Sequence, residues 1–252
     1  MSDTVKFLNV EVRNLTADQL LEQLDSGVLV TPNIDHLVKL QSDSDFYAAY
    51  RDAEWVVCDS RILRQCSRLL RNSLPEAIPG SSFFTRYYSY HAKNEDCRIF
   101  LLGAAPGVGE KAMENINNSV GRKIIVGSYS PPYGFEKDEA ECDRIVRMLN
   151  SSDANVVLVG LGAPKQEKWI HRYRKEVPGV KLWMALGATI DFEAGNIKRA
   201  PRWVQYLCME WFYRFLKEPR RMFRRYFIDD PVFFYYFLLQ LLGLYRNPFG
   251  EK

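Results

Sequence analysis

The sequence predicts an α/β fold: a doubly wound, mostly parallel sheet with helices on both faces, extended by a C-terminal helical appendage. Two patterns and one discontinuity predict it. Apolar strand-like runs alternate with helical stretches as far as residue 198, several runs end in turns that lead straight into a helix, and beyond residue 198 the composition becomes basic and aromatic. At 252 residues and 47% hydrophobic content the chain can bury one large core. The expected division is therefore a domain over 1–198 and an appendage over 199–252.

Taken in order, strands are expected over 6–12, 27–31, 55–58, 98–103, 123–129, 156–160 and 181–186. Helices are expected over 16–24 behind a Thr16 cap, 36–52 behind the TPNID turn, 60–71 behind Cys58 and Asp59, 107–119 behind GAAP, 138–150 and 165–176. The N-terminal MSDTVKFLNVEVRN lacks the apolar stretch of a secretory signal, so none is expected. Five cysteines, an odd number without metal-type spacing, and only three histidines read as reduced, cytosolic thiols. The formal charge of +3 conceals a split, because residues 198–226 hold nine Lys or Arg against two Glu. That local excess implies a partner carrying phosphate.

Parallel sheets bind ligands beyond the carboxyl ends of their strands, so the residues following each strand are the candidates. The richest such turn lies in VVLVGLGAPKQEKWI. Gly160 and Gly162 permit a tight turn and close backbone approach, and a helix opening near Pro164 and Lys165 presents unpaired N–H groups to an anion. Gln166 and Glu167 add an amide and a carboxylate at its mouth. Elsewhere the strand ends carry Thr31 and Asn33, Asp59, Gly103, and Gly187 with Asp191. Taken singly, Thr31 and Asn33 also fit turn or cap positions, and Asp59 is a natural N-cap for the helix it precedes. Convergence on one edge is what makes them a site.

These residues resemble the WecG/TagA/CpsF glycosyltransferases from TPN at Thr31 to Arg221. The resemblance rests on GAPKQE (162–167), GATIDFEAGNIKRAPRW (187–203) and EWFYRFLKEP (210–219) in combination. It implies a Rossmann-like catalytic domain and an inverting, metal-independent transferase that needs no cofactor. Such an enzyme moves a sugar from a UDP-sugar to a polyprenyl-diphosphate-linked saccharide at the cytoplasmic face of the inner membrane. The family's site residues fall on Thr31, Asn33, Asp59 and Gln166. Two departures stand out: Ala77 and Ser82 replace an arginine and an aspartate of the family pattern, and Asp59 is followed by Ser60 and Arg61 where a glycine is usual.

The chemistry suits the residue types. Inverting transfer needs a base for the acceptor hydroxyl, for which Asp59 is the candidate. The departing diphosphate needs positive charge or hydrogen-bond donors, which helix N-termini, Thr31, Gln166 and arginines supply. Asp43-Ser44-Asp45 matches the metal signature of another transferase class but sits on a polar helical stretch away from any strand end. His36, His91 and His171 read as surface or packing residues.

In the appendage, a helix through 211–226 would place Arg214, Lys217, Arg221, Arg224 and Arg225 on one face. Trp211, Phe212, Phe215, Leu216, Met222, Phe223 and Tyr226 would fall on the other, with a kink or restart at Pro219. This suggests an interfacial segment drawn to anionic lipid, with Arg214, Arg221 and Arg224 reaching the diphosphate; plain packing of the aromatic face on the domain is the competing reading. The apolar run VFFYYFLLQLLGLY falls short of the ~20 residues of a spanning helix, so peripheral or monotopic attachment is expected. Nucleic acid is not an expected partner, since the basic residues line a helix face rather than alternate with stacking aromatics. Homo-oligomer formation stays open, as does a non-catalytic nucleotide-sugar-binding protein, the alternative that Ala77 favours.

Overall fold

The chain opens with a hairpin rather than the single strand expected over 6–12. Strands β1 (Thr4–Phe7) and β2 (Val10–Arg13) pair antiparallel, with Leu8 at the turn at a φ of 55°. Val5, Phe7, Val10 and Val12 alternate inward, as the two-residue period of a strand requires. The structure is a computed structural model. It describes residues 3–70, 72–197 and 210–250, apart from the side chains of Glu210, Trp211, Arg214 and Arg221.

The main sheet contains β3 (Gly27–Val30), β4 (Trp55–Val56), β5 (Ile99–Gly103), β6 (Ile125–Tyr129), β7 (Val156–Gly160) and β8 (Leu182–Ala185). All are parallel, in the order β4-β3-β8-β7-β5-β6. The central β5, β7 and β8 are buried almost throughout, because helices cover both faces. Helices α2 (Ile34–Lys39), α3 (Ser44–Arg51), α7 (Glu139–Ser151) and α8 (Lys165–Tyr173) pack on one face. On the other lie α1 (Ala17–Gln23), α5 (Gly80–Tyr90), α6 (Val108–Val120) and α9 (Thr189–Glu193). The doubly wound fold is as the sequence predicts.

Local chemistry sets the boundaries. Thr16 and Gln19 form a reciprocal capping box at α1. The helix expected over 36–52 is two, because Asp43 Oδ1 accepts from Phe46 N at 3.0 Å and starts α3 afresh. The helix expected over 60–71 is α4 (Arg61–Ser67), which ends where Ser67 Oγ accepts from Leu74 N at 2.9 Å. Helices α5 and α9 lie outside the expected elements. Cys58, Cys66, Cys97 and Cys142 are free thiols, and Cys208 lies outside the described residues.

The C-terminal part restarts at Pro219, giving α10 (Glu210–Lys217) and α11 (Pro219–Arg224), followed by a π-helical turn over Arg225–Asp229 and then α12 (Val232–Leu241). α12 is fastened to the N-terminal hairpin. Phe233 and Phe237, one turn apart, enter the same core as Phe7, with the Phe7 and Phe237 rings 6.2 Å apart. Gln240 Oε1 accepts from Leu8 N at 2.8 Å while its Nε2 donates to Lys6 O at 2.7 Å. Beyond it, Tyr245 OH donates to Gln41 Oε1 at 2.7 Å and Asn247 Nδ2 to Tyr47 OH at 2.9 Å. The opposite face of α12 exposes Phe234, Tyr235, Leu238, Leu241 and Leu242.

Candidate active site

Because the six strands run the same way, the residues that follow them gather along one edge, in the spatial order Asp59, Thr31, Gly187, Gly160, Gly103. The connection leaving β3 enters α2 on one face of the sheet, whereas that leaving β8 enters α9 on the other. Neighbouring connections that part to opposite faces mark the crevice position of a parallel sheet, and here 187–191, which lead to α9, part from both 31–33 and 161–164, which lead to α2 and α8.

Asp59 is held beside this crevice from two sides. Its N–H donates to Pro32 O at 3.2 Å, joining it to the TPN turn, and its Oδ1 accepts from Gly80 N at 3.0 Å. The expected cap role falls instead to Ser60, whose Oγ accepts from Leu63 N at 3.4 Å. Asp59 therefore lies over the N-terminus of α5, a setting that suits a carboxylate. Thr31 is buried at the end of β3. Asn33 caps α2, its Oδ1 accepting from His36 N at 3.2 Å.

Gln166 and Glu167 enter the interior from the first turn of α8, each only 2% exposed. Gln166 Oε1 accepts from Gly162 N and from Gly187 N, both at 3.1 Å, and so ties the loop after β7 to the loop after β8. Its Nε2 donates to Glu167 Oε1 at 2.9 Å. Gly160 is required by this assembly, since a Cβ there would meet Gly187 O at 2.7 Å. Gly103 likewise packs against Gly160, whereas Gly162, at a φ of +78°, is required by its left-handed backbone.

Pro164 precedes α8 as its N-cap rather than opening the helix, and Lys165 is the first helical residue. Lys165 turns toward the connection between β6 and α7, with Nζ 3.4 Å from Glu136 Oε1 and 4.5 Å above the Tyr133 ring. It faces a cleft of about 780 Å³ that Lys168, Trp169 and Arg172 also line. Asp191 sits in the first turn of α9, and burial raises its pKa.

Burial dominates the electrostatics behind the crevice. The Glu167 carboxyl is pushed up to about 7 by burial, against the opposing effects of the Gln166 amide and Lys39, and its Oε2 is buried without a hydrogen-bond partner. Burial also holds His36 down to about 3, so it is neutral, and its Nδ1 pairs with Tyr50 OH at 2.7 Å. Tyr50 is raised well above its ordinary value by burial and then by the negative fields of Glu167, Asp59 and Asp35. His36 and His171, the latter 3.2 Å from Asp52, are engaged as packing and pairing residues. Among the described residues no cluster of three or more His, Cys, Asp and Glu side chains is arranged to hold a metal ion. Asp43 caps α3 and pairs with Lys168 at 2.7 Å.

Of the three arginines expected at the diphosphate, the side chains of Arg214 and Arg221 lie outside the described residues. Arg224 is directed outward, its side chain 81% exposed and its Nε 3.7 Å from Asp229. Among the described arginine side chains of this segment, the one that turns inward is Arg225, 3.8 Å from Asp35 of α2 and 3.9 Å from Asp230. Burial raises the Asp230 carboxyl to about 6 despite Arg225 beside it. Sequence reasoning counted Arg225 on the basic face; the acidic Asp35 inside TPNID was the available sign of its partner.

The chain is similar to known proteins over most of its length. The family model described as "Glycosyl transferase WecG/TagA/CpsF family" matches residues 5–247. An N-acetylglucosaminyldiphosphoundecaprenol N-acetyl-beta-D-mannosaminyltransferase of Bacillus subtilis (strain 168) is 30% identical over 201 residues, covering 80% of this chain and 75% of the relative. The protein of the same name from Bacillus spizizenii is 30% identical over 212 residues, covering 84% of this chain and 79% of that relative.

Proposed function

Because this chain belongs to the WecG/TagA/CpsF glycosyltransferase family, we propose that it transfers a sugar from a UDP-sugar to a polyprenyl-diphosphate-linked saccharide, with inversion and without a metal ion, in cell-envelope or exopolysaccharide assembly. The observation that carries this reading is the placement of Asp59: a carboxylate fixed by Gly80 N and by the TPN turn beside the switch-point crevice. Asp59 takes the proton of the acceptor hydroxyl as its oxygen attacks the anomeric carbon, and the bond to the diphosphate breaks on the opposite side, inverting the centre. The Thr31 hydroxyl and the N-terminus of α8 face the developing negative charge from the edge of the sheet, and arginines of the appendage supply the rest. The names of the two relatives make UDP-N-acetylmannosamine the first donor to test and an N-acetylglucosaminyl-diphosphoprenol the first acceptor.

The acceptor's lipid sets where the enzyme works. No helix among the described residues is long and apolar enough to cross a membrane. The outward face of α12, with Phe223, Phe227 and Ile228 before it, presents exposed apolar side chains beside a strongly basic segment. This combination supports peripheral or monotopic attachment to anionic lipid at the cytoplasmic face of the inner membrane. The deciding experiment is release of UDP from a panel of UDP-sugars with a short-chain lipid-diphosphate acceptor in detergent. Turnover of one donor, unaffected by a chelator, is the expected result. Binding of UDP-sugars without turnover would instead identify a non-catalytic nucleotide-sugar-binding protein, and activity restored only by Mg²⁺ or Mn²⁺ would overturn metal independence.

A further inference from the structure

Glu167 stands beside the transfer site but has the environment of an internal part rather than of a substrate ligand. It is 2% exposed, and one carboxyl oxygen is occupied by Gln166 Nε2 at 2.9 Å. The other is enclosed without a partner. Gln166, in turn, works only in one orientation. Its Oε1 takes two N–H donors, from Gly162 and Gly187, and an amide turned end for end would set an NH₂ group against both of them. The acceptor on the other side, Glu167 Oε1, holds the NH₂ end and reinforces that orientation.

We propose that Glu167 is a positioning residue for sugar transfer: by accepting from Gln166 Nε2 it fixes the amide orientation that clamps the loop after β7 to the loop after β8. This deepens the glycosyltransferase reading and rests on it. The clamp sets the spacing of two of the strand ends that border the crevice, those at Gly162 and Gly187. A displacement of about 1 Å among groups that hold a reacting pair can cost on the order of 10²-fold in rate, so the loss from a freed clamp should be large although Glu167 touches no substrate. An acceptor oxygen at this position is the requirement, not a negative charge.

Three variants separate these features. Glu167→Gln keeps an oxygen within reach of Gln166 Nε2, Glu167→Leu keeps the volume but removes the acceptor, and Gln166→Leu removes the clamp itself. The expected results are kcat/KM within about threefold of wild type for Glu167→Gln and a loss of at least tenfold for Glu167→Leu with no lowering of Tm at pH 8. The double variant Gln166→Leu/Glu167→Leu should be no worse than Gln166→Leu alone, because the second residue acts through the first. A Glu167→Gln protein as impaired as Glu167→Leu, or additive losses in the double variant, would overturn the proposal. If no donor is turned over, the glycosyltransferase reading fails separately, and the clamp is still read by the side-chain amide signals of Gln166. Slow hydrogen exchange of that NH₂ group in wild type and Glu167→Gln, with fast exchange in Glu167→Leu, supports the clamp; equal exchange in all three overturns it.

Discussion

Replacing Asp59 by asparagine removes a base while keeping an oxygen for Gly80 N, so the start of α5 should hold its place. Turnover is expected to fall by roughly 10²-fold or more with UDP affinity nearly unchanged, and wild-type turnover in this variant would remove Asp59 from the mechanism. Glu167 gives a second test, in stability. Its carboxyl, ordinarily near 4.5, is raised to about 7 in the fold by burial, with Asp35 adding to the effect and the Gln166 amide and Lys39 opposing it. The folded state therefore holds the proton more tightly than the unfolded one, and this contribution is lost as pH rises from about 4.5 through about 7. Glu167→Gln should accordingly gain on wild type at pH 8, by an amount on the order of 3 kcal/mol, and gain little at pH 4.5, as read by urea denaturation at both values. Parallel pH dependence in the two proteins would contradict the buried, protonated state. The placement of Asp59, Thr31, Asn33 and Gln166 along one edge of the sheet is legible in the sequence because each lies in the connection that follows a strand. The enclosure of Glu167 is not, since a glutamate in a helix's first turn ordinarily faces water, and only tertiary packing brings Asp35, Lys39 and Tyr50 of α2 and α3 near it.

At the scale of elements, the apolar runs and turn glycines placed every strand of the main sheet, because burial on both faces demands an unmistakable composition. The first run differs because a turn at Leu8 and Asn9 carries no glycine or proline; the signs of it in the sequence are Asn9 and the change of the apolar phase from Val5 and Phe7 to Val10 and Val12. Helix α5, outside the expected elements, is marked in the sequence by the helical spacing of Phe83, Phe84, Tyr87 and Tyr88 behind Pro79. The largest change concerns α12. Expected to take part in peripheral or monotopic attachment, it turns one face inward, with Phe233 and Phe237 in the core and Gln240 satisfying the hairpin turn. Phe237→Ala should therefore cost about 3 kcal/mol or more in urea denaturation, a loss that an appendage lying loosely on the surface would not produce. For the same reason, cutting the chain after Asp229 should expose Phe7 and leave Leu8 N without its partner, so the remaining protein should unfold at markedly lower urea than the whole chain.

For the whole molecule, anchoring α12 to the hairpin means that whatever binds its outer face carries the catalytic sheet with it. Under the proposed membrane attachment, two forces of different character would act there: the apolar side chains of Leu238, Leu241 and Leu242 would favour the acyl boundary at any ionic strength, whereas the arginines of 210–225 would attract anionic headgroups within a screening length of about 10 Å at 0.1 M salt. They can be separated. Reversing Arg214, Arg221 and Arg224 to glutamate should weaken co-sedimentation with vesicles containing phosphatidylglycerol, at about 1 kcal/mol for each charge removed and more for each reversed, and the difference from wild type should vanish at high salt. Replacing Leu238 and Leu242 by aspartate should instead weaken binding at every salt concentration, and also on neutral vesicles, because it removes insertion as well as adding like charge. Turnover distinguishes anchoring from chemistry. With a water-soluble short-chain acceptor the leucine variant should retain wild-type rates, since its changes lie on the outer face of a helix whose inner face holds it to the hairpin. The arginine variant should remain slow even there if its side chains reach the leaving diphosphate. Wild-type rates for the arginine variant on the soluble acceptor would confine those residues to the membrane, and unchanged vesicle binding by both variants would remove this surface from the lipid altogether.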